Sequence, residues 1–406
     1  MSQDQELTVE VTALGPISEM AAVAAMHGAP QAIVRTPASA VAAVMAAGCV
    51  ALLMLGVQPV VLGGLQAAGR LSIPEMGQAA MIETLAVGVV SAAMAARVAH
   101  RRLRLWGLAG TIMLIVANAA GLASSGLAFV LLRGVAGVAS GIILWVAVGL
   151  ITRRPDASRV NAIFLGSQAL SQGTVAALIP LTIGPLLGAN SGMWMLGGFA
   201  VLILPLLLLI PDELPDVVHD HAKVPSLHVS SLAGLASGFL MMAGIVGLWV
   251  YIEPIAAAAH IPGRVVSFAI AGSLAAQVVG ALVVVAMDRW FKPVAGLLCV
   301  AAAFIGVTIV LALVRSEAAF VAATLLFGAL WTFAWVLALP LVLAADPTRR
   351  AAMYGPAAGL LGCSAGPLLA GMVATDTNIA PALAMSATFF ACAAVAVVVS
   401  ASTRKT

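Results

Sequence analysis

Charge is scarce in this chain. Asp, Glu, Lys and Arg make up 9% of its 406 residues, where a soluble domain carries roughly a quarter. Hydrophobic residues make up 62%, and the mean hydropathy is +1.12. So few charges cannot cover that much apolar surface in water. A soluble enzyme, a disordered protein and a nucleic-acid binder are therefore excluded. The alternating polar and apolar segments of a membrane β-barrel are missing too, since the apolar runs here are long and unbroken. Cysteine is limited to Cys49, Cys299, Cys363 and Cys392. All four lie in apolar runs without metal-ligand spacing, so they read as core-filling residues and no metal is expected. There is no G-x-x-x-x-G-K-[ST] loop for an ATP-driven motor, no H-E-x-x-H and no G-x-S-x-G. No segment carries an arginine ladder. No catalytic residue and no cofactor are expected, and the chain does not read as an enzyme.

What is present is length. A helix crosses the hydrocarbon core with about 20 mostly apolar residues. Twelve such segments lie near 39–64, 76–97, 105–124, 126–152, 160–188, 193–211, 230–258, 265–287, 294–314, 318–345, 352–374 and 381–401. The predicted fold class is an all-α membrane protein with 12 transmembrane helices. Lys and Arg alternate with the loops: 15 fall on the side shared by the two termini, three (Arg70, Arg264, Arg315) on the other, and Arg133 inside a span, which accounts for all 19. By the positive-inside rule both termini are cytoplasmic, in a bacterial-type inner membrane. Trp106 and Trp194 near span ends read as interface anchors.

The first 38 residues hold four acids and one base, Arg35. That sign is wrong for a secretory signal, and residues 1–38 read as a disordered cytoplasmic tail. Residues 39–211 form a first six-helix bundle, 212–229 a central cytoplasmic loop, 230–401 a second bundle and 402–406 a short tail. His219 and His221 beside Asp216 and Asp220 read as part of a solvated linker. The halves repeat each other. LLRG at 131–134 returns as LLFG at 325–328, Asp156-x-x-Arg159 as Asp346-x-x-Arg349, and GPLLG at 184–188 as GPLLAG at 366–371. The same order in the same topological slots points to two pseudo-symmetric six-helix bundles.

On these residues the sequence resembles the major facilitator superfamily, over nearly the whole chain after the tail. Asp288-Arg289-Trp290-Phe291-Lys292 between spans 8 and 9 is close to the superfamily's D-R-x-G-R loop signature. The matching stretch between spans 2 and 3, residues 96–102, lacks the acid. Arg133-Gly134 followed by Gly137 and Gly141 is similar to its intramembrane arginine motif. Gly184-Pro185 in span 5 and Gly366-Pro367 in span 11 resemble the G-x-x-x-G-P motif of proton-coupled exporters. Gly362 completes it in span 11, and Pro180 stands at the matching place in span 5. The resemblance implies alternating access, with spans 1, 4, 7 and 10 lining the path. It also implies mechanical roles for Asp288, Arg289, Lys292, Gly184, Pro185, Gly366 and Pro367.

Ionised groups inside a membrane helix are expensive and mark function. Only Glu83, Arg133 and Glu253 lie well inside spans. Glu83 precedes Arg97 by 14 residues, and Arg133 precedes Arg153 by 20, or about 21 and 30 Å of helix. Both stand in the middle-to-outer part of the first bundle, as a structural ion pair or as a transport site. Glu253 precedes Pro254, where a helix bends, as a gate, a proton carrier or a wet loop residue. Glu83 and Glu253 are the candidate proton couplers, because burial and a neighbouring arginine act oppositely on a carboxyl group's hold on its proton. Gln58, Arg133, Trp249, Tyr251, Trp331 and Trp335 are the candidate substrate contacts, an aromatic wall suited to an apolar or aromatic molecule. The expected function is export of a small organic molecule coupled to protons, by a monomer in the lipid bilayer with no nucleic-acid partner. The alternative is proton symport of a small organic acid, aromatic acids included, into the cell, with Arg133 as its anchor.

Overall fold

The computed structural model describes residues 36–154, 156–214, 228–287, 292–346 and 351–403. Asp288 and Arg289, both chain ends and the His219–His221 part of the central loop lie outside these residues. Most of the described residues are helical. Among the described residues, eleven continuous helical stretches are long and apolar enough to cross a membrane. One of them, Arg159–Leu209, has 51 residues, or about 77 Å at 1.5 Å per residue, more than twice the thickness of the hydrocarbon core. It is two spans joined at Gly188, which adopts φ 54°, a conformation that suits a residue without Cβ. The twelve-span layout therefore stands, as a multi-pass membrane protein of two six-helix bundles.

Several spans are broken, each for a local reason. Span 1 consists of Ala38–Ala51 and Leu53–Ala67, interrupted at Leu52. The Gln172 side chain from span 5 donates 2.8 Å to the Leu52 carbonyl, so the interruption leaves no unsatisfied acceptor there. Span 5 runs as an α-helix over Ala157–Leu178, then as a π-turn over Ile179–Ile183 and a last turn over Gly184–Leu187. Pro180 lies inside that turn and Pro185 two residues after its end, and the Gly184 N–H reaches back to the Ile179 carbonyl. Span 7 is split into Val229–Trp249 and Ile252–Ala258. The break falls four residues before Pro254, where its ring displaces the i−4 carbonyl. Span 11, Gly355–Val373, stays one helix through Pro367.

Glycines set the packing within each half. Span 4, Gly126–Ile151, lies on span 2, Ile73–Arg97, with Gly137 against the backbone of Glu83. In the second half span 10, Glu317–Ala345, lies on span 8, Gly263–Met287, with Gly328 against the backbone of Ser273. Small residues permit this approach where no hydrophobic effect drives helix association. The predicted core role of cysteine holds for Cys49 and Cys363, which are buried. Cys299 and Cys392 are exposed on the helix surfaces instead. Helical apolar runs buried on one side and facing lipid on the other do not reveal their orientation from sequence alone.

The two bundles meet through spans 2 and 11 and through spans 5 and 8. We call the end that carries residues 67–72 and 374–379 the distal end, and the opposite one, which carries Thr36 and Thr403, the terminal end. At the distal end the bundles touch closely. A Cβ on Gly77 of span 2 would collide with the Pro367 carbonyl and the Tyr251 hydroxyl, and one on Gly371 would lie 2.6 Å from the same hydroxyl. At the terminal end an open groove lies in the second bundle, lined by Ser237, Met241, Met242 and Trp335 among others.

Candidate functional site

The expected ion pair is direct. Arg133 Nε donates 2.9 Å to Glu83 Oε2, Nη2 donates to Glu83 Oε1, and Nη1 donates 2.8 Å to Asn118 Oδ1. Arg133 is 1% exposed, Asn118 1% and Glu83 5%. The bidentate fork matches the geometry of a carboxylate, which makes the pair both strong and directional. Three helices supply it: span 2, span 4 and, unforeseen from the sequence, span 3 (Leu103–Gly121) through Asn118. A neutral amide in an apolar helix gives no charge signal. Its one clue is a polar side chain at a position where a membrane helix has few.

The second half puts different chemistry in the equivalent slot. The LLRG and LLFG repeats align Arg133 with Phe327. Phe327 is fully buried and stacks on Trp249 with ring centroids 5.9 Å apart and planes 2° from parallel. Phe304 meets Phe327 edge-on at 5.4 Å and stacks on Phe390 at 4.7 Å. Trp331 meets Trp249 edge-on at 5.9 Å. Offset and edge-on pairs at these separations are favourable beyond their buried area. One bundle is thus centred on an ionic clasp and the other on an aromatic stack.

The predicted substrate contacts fall in several places. Trp249 and Trp331 belong to the aromatic stack. Trp335, one turn further along span 10, lines the terminal-end groove and lies against Gly359. Gln58 is 1% exposed in span 1. Among the described residues its Oε1 accepts no hydrogen bond, and Trp249 Nε1 donates none. A buried acceptor and a buried donor left open each cost roughly 1–3 kcal/mol, which a bound molecule or water relieves. Tyr251 lies in the distal seam, where its hydroxyl donates 2.9 Å to the Pro367 carbonyl. Arg133 is in the clasp.

Of the two candidate proton couplers, Glu83 is held by Arg133. Glu253 is at the seam between bundles, its carboxyl against Gly63 of span 1. It makes no hydrogen bond or ion pair among the described residues. Of the predicted mechanical residues, Gly184 and Pro185 follow the π-turn, and Gly366 and Pro367 lie where span 11 touches spans 7 and 2. Lys292 is exposed at the head of span 9, Pro293–Leu313. No metal-binding group of three or more ligands occurs among the described residues.

No protein-family model matches the sequence, and no curated protein matches it. Solved structures do match the fold. A bacterial homologue of the human lysosomal transporter Spinster, in an inward-facing and unoccupied conformation, aligns over 90% of this chain and 95% of its own, with 14% identity and a TM-score of 0.62. The nucleoside transporter NupG aligns over 89% of this chain and 98% of its own, with 12% identity and a TM-score of 0.66. A point mutant of that transporter aligns over 90% and 100%, with 11% identity and a TM-score of 0.69. The chain thus shares its fold with these transporters over nearly its whole length.

Proposed function

We propose that this chain, with the twelve-helix fold of major facilitator transporters, is a secondary carrier. It exports a small, uncharged organic molecule in exchange for protons by rocking its two bundles. It acts as a monomer in the inner membrane with its termini in the cytoplasm, an orientation supported by the 15-to-3 split of basic residues. The distal end is then the outer face, and the described conformation is closed outward. The observation that carries the reading is the contrast between the two carboxyls. Glu83 is neutralised by Arg133 in both of its oxygens. Glu253 has no such partner and stands where the bundles part, so rocking alternately covers and exposes it. A carboxyl that changes surroundings in step with transport is the simplest proton carrier. The substrate is matched by the open polar atoms of Gln58 and Trp249 and by the aromatic faces of Trp249, Trp331 and Trp335. Uptake of an organic acid would require a free guanidinium, and Arg133 already engages three of its five N–H groups with Glu83 and Asn118.

The test is flux in proteoliposomes under an imposed pH gradient. Glu253→Gln is expected to lower proton-driven flux by at least about a hundredfold, the low end of what one proton-transfer group contributes. It should leave substrate exchange at equal pH within about twofold by the same argument. Proton-driven flux that survives Glu253→Gln overturns the coupling assignment. Flux of an anion that is lost in Arg133→Ala, with neutral substrates spared, would overturn the export reading in favour of uptake.

A further inference from the structure

The first turn of span 2 has three backbone positions, Ile73, Pro74 and Glu75, that come too early for an acceptor within the helix. Pro74 has no N–H at all. The Glu75 N–H is met by Ser72 Oγ at 3.4 Å, and Glu75 Oε2 in return accepts from the Ser72 N–H at 2.8 Å. These form the two sides of a capping box. The third, the Ile73 N–H, donates 2.7 Å to Asp376 Oδ1. Asp376 belongs to the other bundle. It lies in the tight turn between spans 11 and 12, where the Thr375 N–H donates to the Asn378 carbonyl at 3.0 Å and the reverse bond is 3.1 Å. The turn is further fastened by Asn378 N–H to Thr375 Oγ1 at 3.2 Å. Asp376 is therefore held out across the seam on a short, closed loop.

We infer that Asp376 is a latch of the distal gate, an N-cap supplied by one bundle to a helix of the other. The physical basis is twofold. A carboxylate at a helix N-terminus satisfies an orphan donor and lies at the positive end of the helix dipole. Both gains exist only while the bundles touch at this end, because Ile73 and Asp376 have no covalent reason to stay together. The contact is continuous with the packing just below it, where Gly77 meets Pro367 and Tyr251, and Pro74 meets Gly371. Opening the distal end breaks the cap and returns the Ile73 N–H to water. The latch thus favours the outward-closed state in the absence of substrate. This inference rests on the rocking-bundle reading and on no assignment of substrate or coupling ion.

The experiment is a distance measurement by paired spin labels in lipid nanodiscs, without substrate, on the full chain with its four native cysteines replaced by alanine. Labels at Ala68 and Ala257, exposed on the distal parts of spans 1 and 7, report the gap between bundles. The parent protein is expected to give mainly the short distance. Asp376→Ala should raise the ratio of long to short distances about fivefold, the worth of one N-cap, and Asp376→Asn should raise it less. Thr377→Ala, in the same turn but without a hydrogen bond to span 2, should leave the ratio unchanged. Gly77→Ala should raise it independently, by collision in the seam. If Gly77→Ala opens the gap and Asp376→Ala does not, the latch is overturned while the rocking motion stands. If Thr377→Ala opens it as far as Asp376→Ala, turn stability explains the effect and the latch is again overturned. If neither Asp376→Ala nor Gly77→Ala moves the labels, the latch falls together with the motion it rests on.

Discussion

Arg133→Met is expected to destabilise the protein by about 3–5 kcal/mol, the cost of stranding one member of a buried ion pair. The variant leaves the Glu83 carboxylate 5% exposed, with both oxygens bereft of their donors and Asn118 Oδ1 without its guanidinium. Glu83→Gln should do comparable harm from the other side, leaving a cation at a site 1% exposed. The double variant Glu83→Gln with Arg133→Met removes both charges at once, and it should recover most of the loss, because two neutral groups carry no large desolvation cost. Unfolding of the purified protein in detergent, followed by thermal or denaturant melting, measures all three. A double variant no more stable than either single one would mean that the clasp acts mainly through its shape and packing, and that its charges do little. The same three proteins separate structure from transport. If the neutral double variant folds and still carries substrate, Glu83 and Arg133 are architectural.

The second large effect belongs to span 11. Gly366→Val is expected to cost about 3 kcal/mol, at the upper end of ordinary overpacking. A Cβ there would collide with the backbone carbonyl of Ala243 in span 7, and one at Gly362 with the carbonyl of Phe239. The Gly247 Cα in turn faces the Gly366 carbonyl, where a Cβ would come within 3.2 Å. The neighbour is main chain on both sides, so no rotamer change makes room and the helices must separate. Gly198→Val in span 6 is the matched control. An added Cβ there meets nothing within 4 Å, and the change should stay within about 0.5 kcal/mol. Equal losses at the two positions would show that β-branching inside a membrane helix, rather than the approach of spans 7 and 11, sets the cost.

The span boundaries and the division into halves were legible because each rests on a dense signal. Long apolar runs and the placement of 19 basic residues repeat over the whole chain. Glu83 and Arg133 were legible as candidates because ions are rare inside spans, and their pairing was one of two open readings. What the sequence hid is of a different kind. Asn118 carries no charge to betray it. The exchange of Arg133 for Phe327 was printed in the LLRG and LLFG repeats, yet an aromatic in an apolar helix looks like ordinary packing until its neighbours are known. The π-turn of span 5 gives no sign of itself in the sequence, and a 3-10 turn that starts at the positive-φ Gly188 runs spans 5 and 6 into one helical stretch. Asp376 reads as a polar loop residue, because nothing along the chain says that a residue near its end will cap a helix near its beginning. Cysteine orientation was missed in two of four cases, since apolar helices have little face-to-face contrast when lipid lies outside.

The unlike centres of the two bundles also limit how the halves can be exchanged. Grafting an arginine onto the Phe327 position would put a cation against Trp249, Phe304 and Trp331, a group of aromatic rings that includes no carboxylate to receive it. A protein assembled from two copies of residues 39–211 would have paired clasps and no aromatic stack. One assembled from two copies of residues 230–401 would have the stack twice and no helix offering Ile73 to Asp376. Each half thus carries what the other lacks, so the two repeats, though alike in order, are not interchangeable parts.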